Sequence, residues 1–404
     1  MDPIRNPYAP GAGTPPPELA GRHELLERTR IALGRLAAGR SARSFIAVGL
    51  RGVGKTVLLN EARLLADAAG ARIAVIEAHE QKRLAELLIP HLRRVLLDLD
   101  RLGRLSTEVK RALRVLRGFM STVRLRLGET EISLDIEAEP GAADSGDLEA
   151  DLPELMVALG QAAAARGTQI ALFIDELQYI GGRDLGALIM ALHRCAQLRL
   201  PVMLIAAGLP QIVGLTGRSK SYAERMFDFP EIGPLERADA ERALCAPAAE
   251  QDVRFAAGAL DAIFAATQGY PYFLQEWAYH AWNTAEGPEI GSAEVARAGE
   301  IAVRRLDASF FRVRFDRLTP REKDYLRAMA ALMAGLGSAI LRAGDIAEAL
   351  RIKAPSVAPL RSGLIAKGMI YSPQHGETAF TVPMFDAFLR RVMPDWQTPY
   401  LSLD

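Results

Sequence analysis

The sequence is short of the features that mark secreted and membrane-spanning proteins. Its 404 residues include two cysteines, Cys195 and Cys245, which are too few for a disulfide framework, so we expect both to be buried thiols. We find no run of 18 apolar residues and therefore expect no membrane span. The N-terminal residues, MDPIRNPYAPGAGTPPPE, contain no apolar core, so we expect no signal peptide. A soluble cytoplasmic protein without a membrane partner is the resulting expectation.

The chain also lacks an excess of charge of either sign. Its 49 basic residues balance its 49 acidic residues, so no global field attracts nucleic acid or a membrane, and any such surface must be local. Half of the residues are apolar, which is enough for sizeable cores. The length suggests two or three domains.

One glycine-rich segment carries the strongest functional signal. Residues 49–56, GLRGVGKT, fit the pattern G-x-x-x-x-G-K-[ST] of a phosphate-binding loop. The preceding apolar segment, Ser44 to Val48, predicts a buried strand, and Thr56 to Ala66 predicts a helix. In that setting the backbone N–H groups and the helix N-terminus surround phosphate oxygens. The predicted nucleotide-binding residues of this segment are Gly49, Arg51, Gly52, Val53, Gly54, Lys55, Thr56 and Val57.

Within this loop, two side chains would act on the nucleotide directly. Lys55 would reach the β- and γ-phosphates, and Thr56 would hold Mg²⁺ with its hydroxyl. The alternative is a glycine-rich turn that matches the pattern by accident.

A second motif argues against an accidental match. Ile170 to Ile174 is an apolar run that predicts a buried strand, and it ends in Asp175 and Glu176. Open α/β sheets bind ligands at the carboxyl ends of their strands. Asp175 would orient Mg²⁺ through its water shell, and Glu176 would polarise the attacking water. Solvated charges at an ordinary strand end are the alternative, but together the two motifs predict binding of a nucleoside triphosphate.

The remaining pattern divides the chain into five parts. Residues 1–17 are rich in Pro and Gly and predict a flexible N-terminus. Alternating strands and helices over 18–236 predict a P-loop core of the α/β class, a parallel sheet with helices on both faces. A helical lid and linker follow over 237–318, a winged helix over 319–392 and a C-terminal tail over 393–404.

An insertion at about 83–150 interrupts the predicted core. Two amphipathic helices, Arg83 to Leu99 and Val109 to Met120, precede an alternating segment, Thr122 to Ile136, which predicts a hairpin. Residues 137–152 are acidic with Pro, Gly and Ser, and predict a loop. The insertion is either a partner-contact element or a segment that only packs on the sheet.

The C-terminal pattern predicts a winged helix. A capping box at Thr319–Glu322 starts a helix that runs to about Ala334. Two further helices and two strands that flank a turn follow it, and a helix ends the domain, which is the order of a winged helix. The predicted segments after the first helix are Ala343 to Leu350, Ser356 to Lys367, Met369 to Ser372, Thr378 to Val382 and Phe385 to Val392.

Basic residues in this winged helix are candidates for binding DNA phosphates. Arg361 and Lys367 lie on a helix without an acidic residue, and Arg351 and Lys353 precede that helix. Acidic residues lie nearby, at 345, 348 and 377, and the whole chain is neutral. The four basic residues are therefore either a DNA surface or the solvated face of a helix.

On these motifs, the chain resembles the AAA+ ATPases related to the origin-recognition initiators, and also the archaeal-type ATPases of the STAND group. The resemblance covers about Glu18 to Val392. It implies ATP and Mg²⁺ as cofactors, a helical lid and a winged helix. It also implies a water-polarising glutamate, which maps to Glu176.

Three positions of the family can be compared with the sequence. The first sensor is a polar residue at the end of the strand after the Asp-Glu strand, but residues 206–210, AAGLP, offer no polar side chain. The lid segment TQGYPYF lacks the second-sensor arginine and resembles the Gly-x-Pro signature of the STAND group, which places Pro271 at the nucleotide. Pro271 would equally start a helix. Arg225 is the better candidate, and Arg218 the weaker, for an arginine that completes the site of a neighbouring subunit; each is otherwise a surface arginine.

Two functions from different classes remain open at this point. One is an initiator-like ATPase that binds DNA through the winged helix. The other is a STAND-like signalling or defence scaffold in which ATP controls oligomerisation without DNA. A metabolic kinase is disfavoured because the Asp-Glu strand and the lid suit activation of water. The missing first-sensor residue predicts slow hydrolysis in both cases.

Overall fold

The computed structural model describes residues 1–11, 13–100, 106–122 and 137–397. Its central element is a parallel five-stranded sheet with the strand order β2-β3-β4-β1-β5. The α/β class predicted from the sequence is confirmed. The strands are β1 Ser44–Val48, β2 Arg72–Glu77, β3 Ile170–Asp175, β4 Val202–Gly208 and β5 Phe227–Asp228.

Strand order places the two predicted motifs on either side of β4. β4 pairs with β1 through Phe45 and Ile205, and with β3 through Ile170 and Val202. Every residue of β4 is buried, as expected for a central strand covered on both faces. The phosphate loop after β1 and the acidic residues at the end of β3 therefore lie at the same edge of the sheet.

Helices cover both faces of this sheet. One apolar core packs α1 and α2 on one face, and another packs the remaining core helices on the opposite face. The helices are α1 His23–Ala37, α2 Lys55–Ala68, α3 Leu84–Asp100, α4 Thr107–Thr122, α5 Leu148–Ala165, α6 Gly182–Gln197, α7 Gln211–Ser219 and α8 Ala223–Met226.

The insertion packs on the sheet through α3 and α4, and α5 follows it on the same face. α5 begins earlier than the predicted loop allowed, because Asp147 caps it by accepting a hydrogen bond from the N–H of Glu149 at 3.3 Å. Buried Asp151 also accepts hydrogen bonds from the backbone of Ser145 and Gly146. The hairpin predicted for Thr122 to Ile136 lies outside the described residues, apart from Thr122 at the end of α4.

A helical region follows the sheet at the position of the predicted lid, and we call it the lid. It contains four helices and a short parallel pair of strands, and a π turn at Asp307–Phe311 continues its last helix into α13. The elements are α9 Arg237–Ala249, β6 Arg254–Phe255, α10 Ala257–Thr267, α11 Pro271–Thr284, β7 Glu289–Ile290, α12 Ser292–Leu306 and α13 Arg312–Asp316.

Residues 320–392, the C-terminal region, follow in the order helix, strand, two helices, hairpin and helix. Thr319 and Glu322 form the predicted capping box at its start. Its three strands pair antiparallel in the order β8-β10-β9. The elements are α14 Pro320–Leu336, β8 Leu341–Arg342, α15 Ala343–Ala349, α16 Ala354–Ala366, β9 Ile370–Tyr371, β10 Glu377–Phe380 and α17 Phe385–Val392.

The N-terminal segment, predicted to be flexible, instead lies against the lid. Tyr8 is 3% exposed and packs against Phe255 and Trp282, and its hydroxyl donates to the carbonyl of Leu244. The indole N–H of Trp282 donates to the carbonyl of Asp2 at 2.9 Å. Several contacts, Tyr8 among them, thus hold a segment whose Pro and Gly content indicated mobility. One apolar core extends from Tyr8 through the lid to the C-terminal region.

Two further predictions concern the two cysteines and membrane-spanning helices. Cys195 is buried, as expected, whereas Cys245 is half-buried; neither forms a disulfide. Among the helices of the described ranges, none has the length and apolar character needed to cross a bilayer.

Candidate nucleotide-binding site

The glycine-rich segment forms a loop between β1 and α2. Gly52 and Gly54 have φ of +82° and +90°, which a residue with a Cβ adopts only with strain. A Cβ added to Gly49 would lie 2.2 Å from the carbonyl oxygen of Ile232. These positions therefore require glycine, and α2 begins at Lys55 directly after the loop.

Lys55 is the buried cation of the loop. Its side chain is 7% exposed, and Nζ donates to the carbonyls of Gly49 at 3.0 Å and Leu50 at 2.9 Å. Burial lowers the pKa of Lys55 to about 8, against the opposing effect of Glu176 and Asp175. An ammonium group folded over its own loop in this way can turn to phosphate oxygens, which form stronger charge-assisted bonds.

Thr56 and Asp175 bring two hard oxygen ligands together. Thr56 Oγ1 donates to Asp175 Oδ2 at 2.6 Å, so the hydroxyl and the carboxylate meet across the sheet edge. Burial raises the pKa of Asp175, and the hydrogen bond from Thr56 opposes that rise. Mg²⁺ binds through one or two such oxygens and completes its shell with phosphate and water. The pair therefore fits a magnesium site that forms only with bound nucleotide.

Glu176 lies beside the loop in a strained conformation. Its φ of +52° is in the left-handed region, which costs a non-glycine residue about 1–3 kcal/mol and is common at functional sites. Arg51 Nη1 lies 3.6 Å from Glu176 Oε1, and the side-chain amide of Gln178 donates to Glu176 Oε2. The carboxylate is thus held on both oxygens by neighbouring side chains.

Gln178 is a site residue that the sequence analysis missed. Its side-chain oxygen accepts a hydrogen bond from the N–H of Leu209 at 3.0 Å, just beyond the end of β4. An amide on the 3₁₀ turn Leu177–Tyr179 therefore joins the end of β4 to Glu176. The first sensor was expected among the side chains of β4 itself. The polar residue two positions after Glu176 was the available signal.

A cavity of about 450 Å³ lies over the loop, a size that suits a nucleotide. Gly49, Val53 and Asp175 lie just outside its lining, and Val53 is packed in the core beneath the loop. The predicted residues that line the cavity are Arg51, Gly52, Gly54, Lys55, Thr56, Val57, Glu176 and Pro271.

Three further segments complete the cavity wall. The N-terminal segment supplies small residues and one proline, Pro16. The lid supplies Tyr272 and Gln275, and the helix around the π turn supplies Phe310 and Arg314. The N–H of Tyr272 donates to the carbonyl of Gly52 at 3.3 Å, and its ring stacks on Phe310 at 4.9 Å. Pro271 occupies the first turn of α11 and also lines the cavity.

The phosphate loop also contacts the C-terminal region. The backbone N–H of Arg51 donates to the carbonyl of Thr381 at 3.0 Å. A Cβ added to Gly368 would lie 2.9 Å from Arg51 Nη2, and the same Nη2 donates to the hydroxyl of Tyr179 at 2.9 Å. One loop residue therefore joins the nucleotide cavity, Glu176 and the C-terminal region.

The basic residues considered for DNA fall into two pairs. Arg361 donates to Thr378 Oγ1 at 2.9 Å and to the carbonyl of Glu377 at 2.6 Å, and Lys367 pairs with Glu322 at 2.7 Å. Arg361 and Lys367 are thus held by contacts within the protein. Arg351 and Lys353 are exposed and form no ion pair within the described ranges.

Arg225 on α8 and Arg218 on α7 are both exposed and lie outside the cavity lining. Neither pairs with an acidic residue in the described part of the chain. Both remain available to another molecule.

Comparisons with known proteins agree with this geometry. Residues 18–205 match the model of the AAA ATPase domain, and residues 308–389 match a domain of unknown function (DUF8462). No curated protein matches the chain.

Several solved structures are similar to the chain. The Walker-type ATPase of Pyrococcus abyssi shares 16% identity, covers 92% of this chain and 96% of that chain, and has a TM-score of 0.57. Cdc6p from Pyrobaculum aerophilum shares 15% identity over 98% of each chain, with a TM-score of 0.44. The RuvB Holliday junction branch migration motor of Thermotoga maritima shares 13%, covers 89% and 92% of the two chains, and has a TM-score of 0.44.

At these identities a structural likeness supports the fold, and of these three only the Pyrococcus protein is similar enough to do so. The activity follows from the domain match, together with a phosphate loop and an Asp-Glu strand that meet at one cavity. Residues 18–205 match the AAA ATPase domain, and the protein is an ATPase.

Proposed function

We propose that the protein is an ATP-driven switch in which the nucleotide controls whether the C-terminal region stays on the phosphate loop. The observation that carries this proposal is the position of Arg51. Its backbone bonds to Thr381 in the C-terminal region, while its side chain lines the nucleotide cavity. A terminal phosphate and the Tyr179–Glu176 pair would compete for the same guanidinium. ATP therefore weakens the contact, whereas ADP, without a γ-phosphate, leaves it in place.

The proposed hydrolysis assigns one role to each residue of the loop edge. Lys55 holds the β- and γ-phosphates, Thr56 and Asp175 hold Mg²⁺, and Glu176 orients water for attack. Bound Mg²⁺ would neutralise the charge of the phosphate oxygens. We propose slow turnover because Glu176 must first leave Arg51, whose guanidinium lies 3.6 Å away.

The proposed location of the protein is the cytoplasm, where ATP is supplied. Cell fractionation tests this location.

Hydrogen exchange would test the switch. The amides of residues 368–381 are measured in the wild-type protein with ADP and with a non-hydrolysable ATP analogue, so that turnover does not mix the states. Faster exchange with the analogue is expected because the C-terminal region has left the loop. The amides of β3, which lie in the sheet, serve as the internal control and stay unchanged. Identical exchange of residues 368–381 with both nucleotides would show that the nucleotide does not control this contact.

Exposed cations favour DNA as a second candidate function. The C-terminal region has the element order of a winged helix, α16 carries no acidic residue, and Arg351 and Lys353 precede it unpaired in the described ranges. The double variant Arg351→Glu, Lys353→Glu should then have a lower affinity for duplex DNA, with a salt slope smaller by about one for each phosphate that is no longer bound. Arg361→Glu, Lys367→Glu should affect folding rather than DNA, because internal bonds hold both side chains.

The scaffold alternative predicts assembly without DNA. The mass and ATPase rate of the purified protein, with and without duplex DNA at two salt concentrations, separate the two possibilities. Growth in mass with ATP alone, lost in Arg225→Ala, would support self-association through α8. A mass that ATP does not change would remove the scaffold hypothesis.

A further inference from the structure

Arg314 lines the nucleotide cavity, but the proposed hydrolysis assigns it no role. It lies on α13, the helix that connects the lid to the C-terminal region. Its guanidinium lies 4.1 Å from the ring centroid of Phe310 and donates to the carbonyl of Phe310. Arg314 is thus held in place by its own helix.

The surroundings of Arg314 do not neutralise it. Within the described ranges it forms no ion pair, and Phe310 accepts the one hydrogen bond that its side chain donates there. A guanidinium has five N–H donors, and a desolvated cation without an anion is costly. Burial and the neighbouring cation Arg51 lower the pKa of Arg314 to about 10. A cationic wall around an open cavity is therefore suited to a strongly anionic ligand.

A π turn precedes the helix that carries this arginine. The π turn at Asp307–Phe311 widens one turn of the helix, a feature often found at functional sites. Phe310 then faces the cavity and stacks on Tyr272, while Phe311 stacks on Phe388 of the C-terminal region at 5.3 Å. A bidentate ion pair between Arg391 and Asp307 fastens the same turn to α17.

We propose that Arg314 binds the γ-phosphate of ATP from the linker helix. The proposal rests on the proposed ATP-driven function. It names a residue that would bind the nucleotide and that lies on the helix leading into the C-terminal region. The γ end is favoured over the base because Arg314 interacts electrostatically with Arg51 and Glu176, which lie beside the loop at the acidic strand end. Arg314 would supply the cation that the lid segment at residues 267–273 lacks.

The affinity ratio between two nucleotides tests this role. ADP and a non-hydrolysable ATP analogue are titrated against Arg314→Ala and against the wild-type protein. Loss of a charge-assisted bond to the γ-phosphate predicts a fall of about 10- to 100-fold in affinity for the analogue. Affinity for ADP should change less than about threefold, because ADP has no γ-phosphate. Arg304→Ala is the matched control, since Arg304 is an exposed arginine on α12 that does not line the cavity.

A purely structural role would give a different result. If Arg314 only packs on Phe310, its removal lowers the melting temperature and weakens both nucleotides equally, and the proposal fails. Arg314→Lys keeps the stem and the charge but not the planar fork, so it should fold and still show a selective, smaller loss for the analogue. An unchanged ratio in the lysine and alanine variants would overturn the proposal. Failure of the wild-type protein to bind either nucleotide would instead overturn the proposed function.

Discussion

Replacement of Gly368 by alanine should separate the C-terminal region from the phosphate loop. Gly368 has φ of +63°, and a Cβ there would lie 2.9 Å from Arg51 Nη2 and 3.4 Å from the hydroxyl of Tyr179. Carbon and nitrogen atoms do not approach this closely without displacement. The Arg51 guanidinium must therefore move away from Tyr179, or the C-terminal region must leave the loop.

The size of the effect follows from the bond that is displaced. Arg51 donates to Tyr179 at 2.9 Å with a side chain that is 19% exposed. A hydrogen bond that involves a charged group contributes about 1.5–3 kcal/mol, and partial solvent access reduces that to about 1–2 kcal/mol. That loss shifts the docking equilibrium, between a C-terminal region bound to the phosphate loop and one released from it, by about 5- to 30-fold. The left-handed backbone adds about 1–2 kcal/mol of strain to the folded state, whether or not the region is docked.

Gly337 provides a matched control for the backbone strain. It has φ of +65° after α14, and no atom lies within 4 Å of the position of an added Cβ. Gly337→Ala and Gly368→Ala should therefore lose similar global stability in thermal unfolding. Only Gly368→Ala should release bound ADP faster, by about 5- to 30-fold, in a stopped-flow assay with a fluorescent analogue. Equal release rates in the two variants would refute the argument that this contact controls the site.

Three further predictions concern the loop edge. Because the pKa of Lys55 is about 8, well below its usual 10.5, nucleotide affinity should fall by up to about tenfold per pH unit above pH 8, whereas Lys55→Arg should show no such fall. The free energy of unfolding should instead rise with pH between 8 and 10.5. In that range Lys55 still holds its proton in the unfolded chain but has released it in the native chain. Glu176→Gln should bind ATP normally and stop turnover, measured as phosphate release; persistent turnover would place water activation elsewhere. Gln178→Ala should lower kcat by about tenfold with little change in KM, because it orients Glu176 without a place in the cavity lining; a rise in KM alone would assign it to binding.

The parts of the site that the sequence predicted are those formed by neighbours in the chain. The phosphate loop and the end of β3 each lie within a few residues of a strand whose apolar run is visible in the sequence. Their meeting was also predictable, because parallel strands present their carboxyl ends at one edge. The hydrogen bond between Thr56 and Asp175 joins residues that are 119 positions apart and shows that meeting directly.

The parts that the sequence did not reveal depend on distant contacts or on one side chain. Arg51 and Thr381 belong to separate parts of the chain, and no periodic pattern relates them. A π turn precedes the helix that carries Arg314, and a sequence pattern of 3.6 residues per turn does not signal such a turn. Tyr8 and its neighbours bind the N-terminal segment to the lid, although the Pro and Gly content of that segment predicts mobility.

Linkage gives the docking contact a consequence for nucleotide binding. If ATP weakens the bond between the phosphate loop and the C-terminal region, then weakening that bond must strengthen ATP binding by the same factor. Gly368→Ala should therefore bind an ATP analogue up to about 5- to 30-fold more tightly than the wild-type protein. Docking and affinity are measured separately: hydrogen exchange reports how firmly the C-terminal region is bound to the loop, and titration gives the affinity for the ATP analogue. Weaker docking in Gly368→Ala without tighter ATP binding, or tighter ATP binding without weaker docking, would show that Arg51 contacts both partners without coupling them.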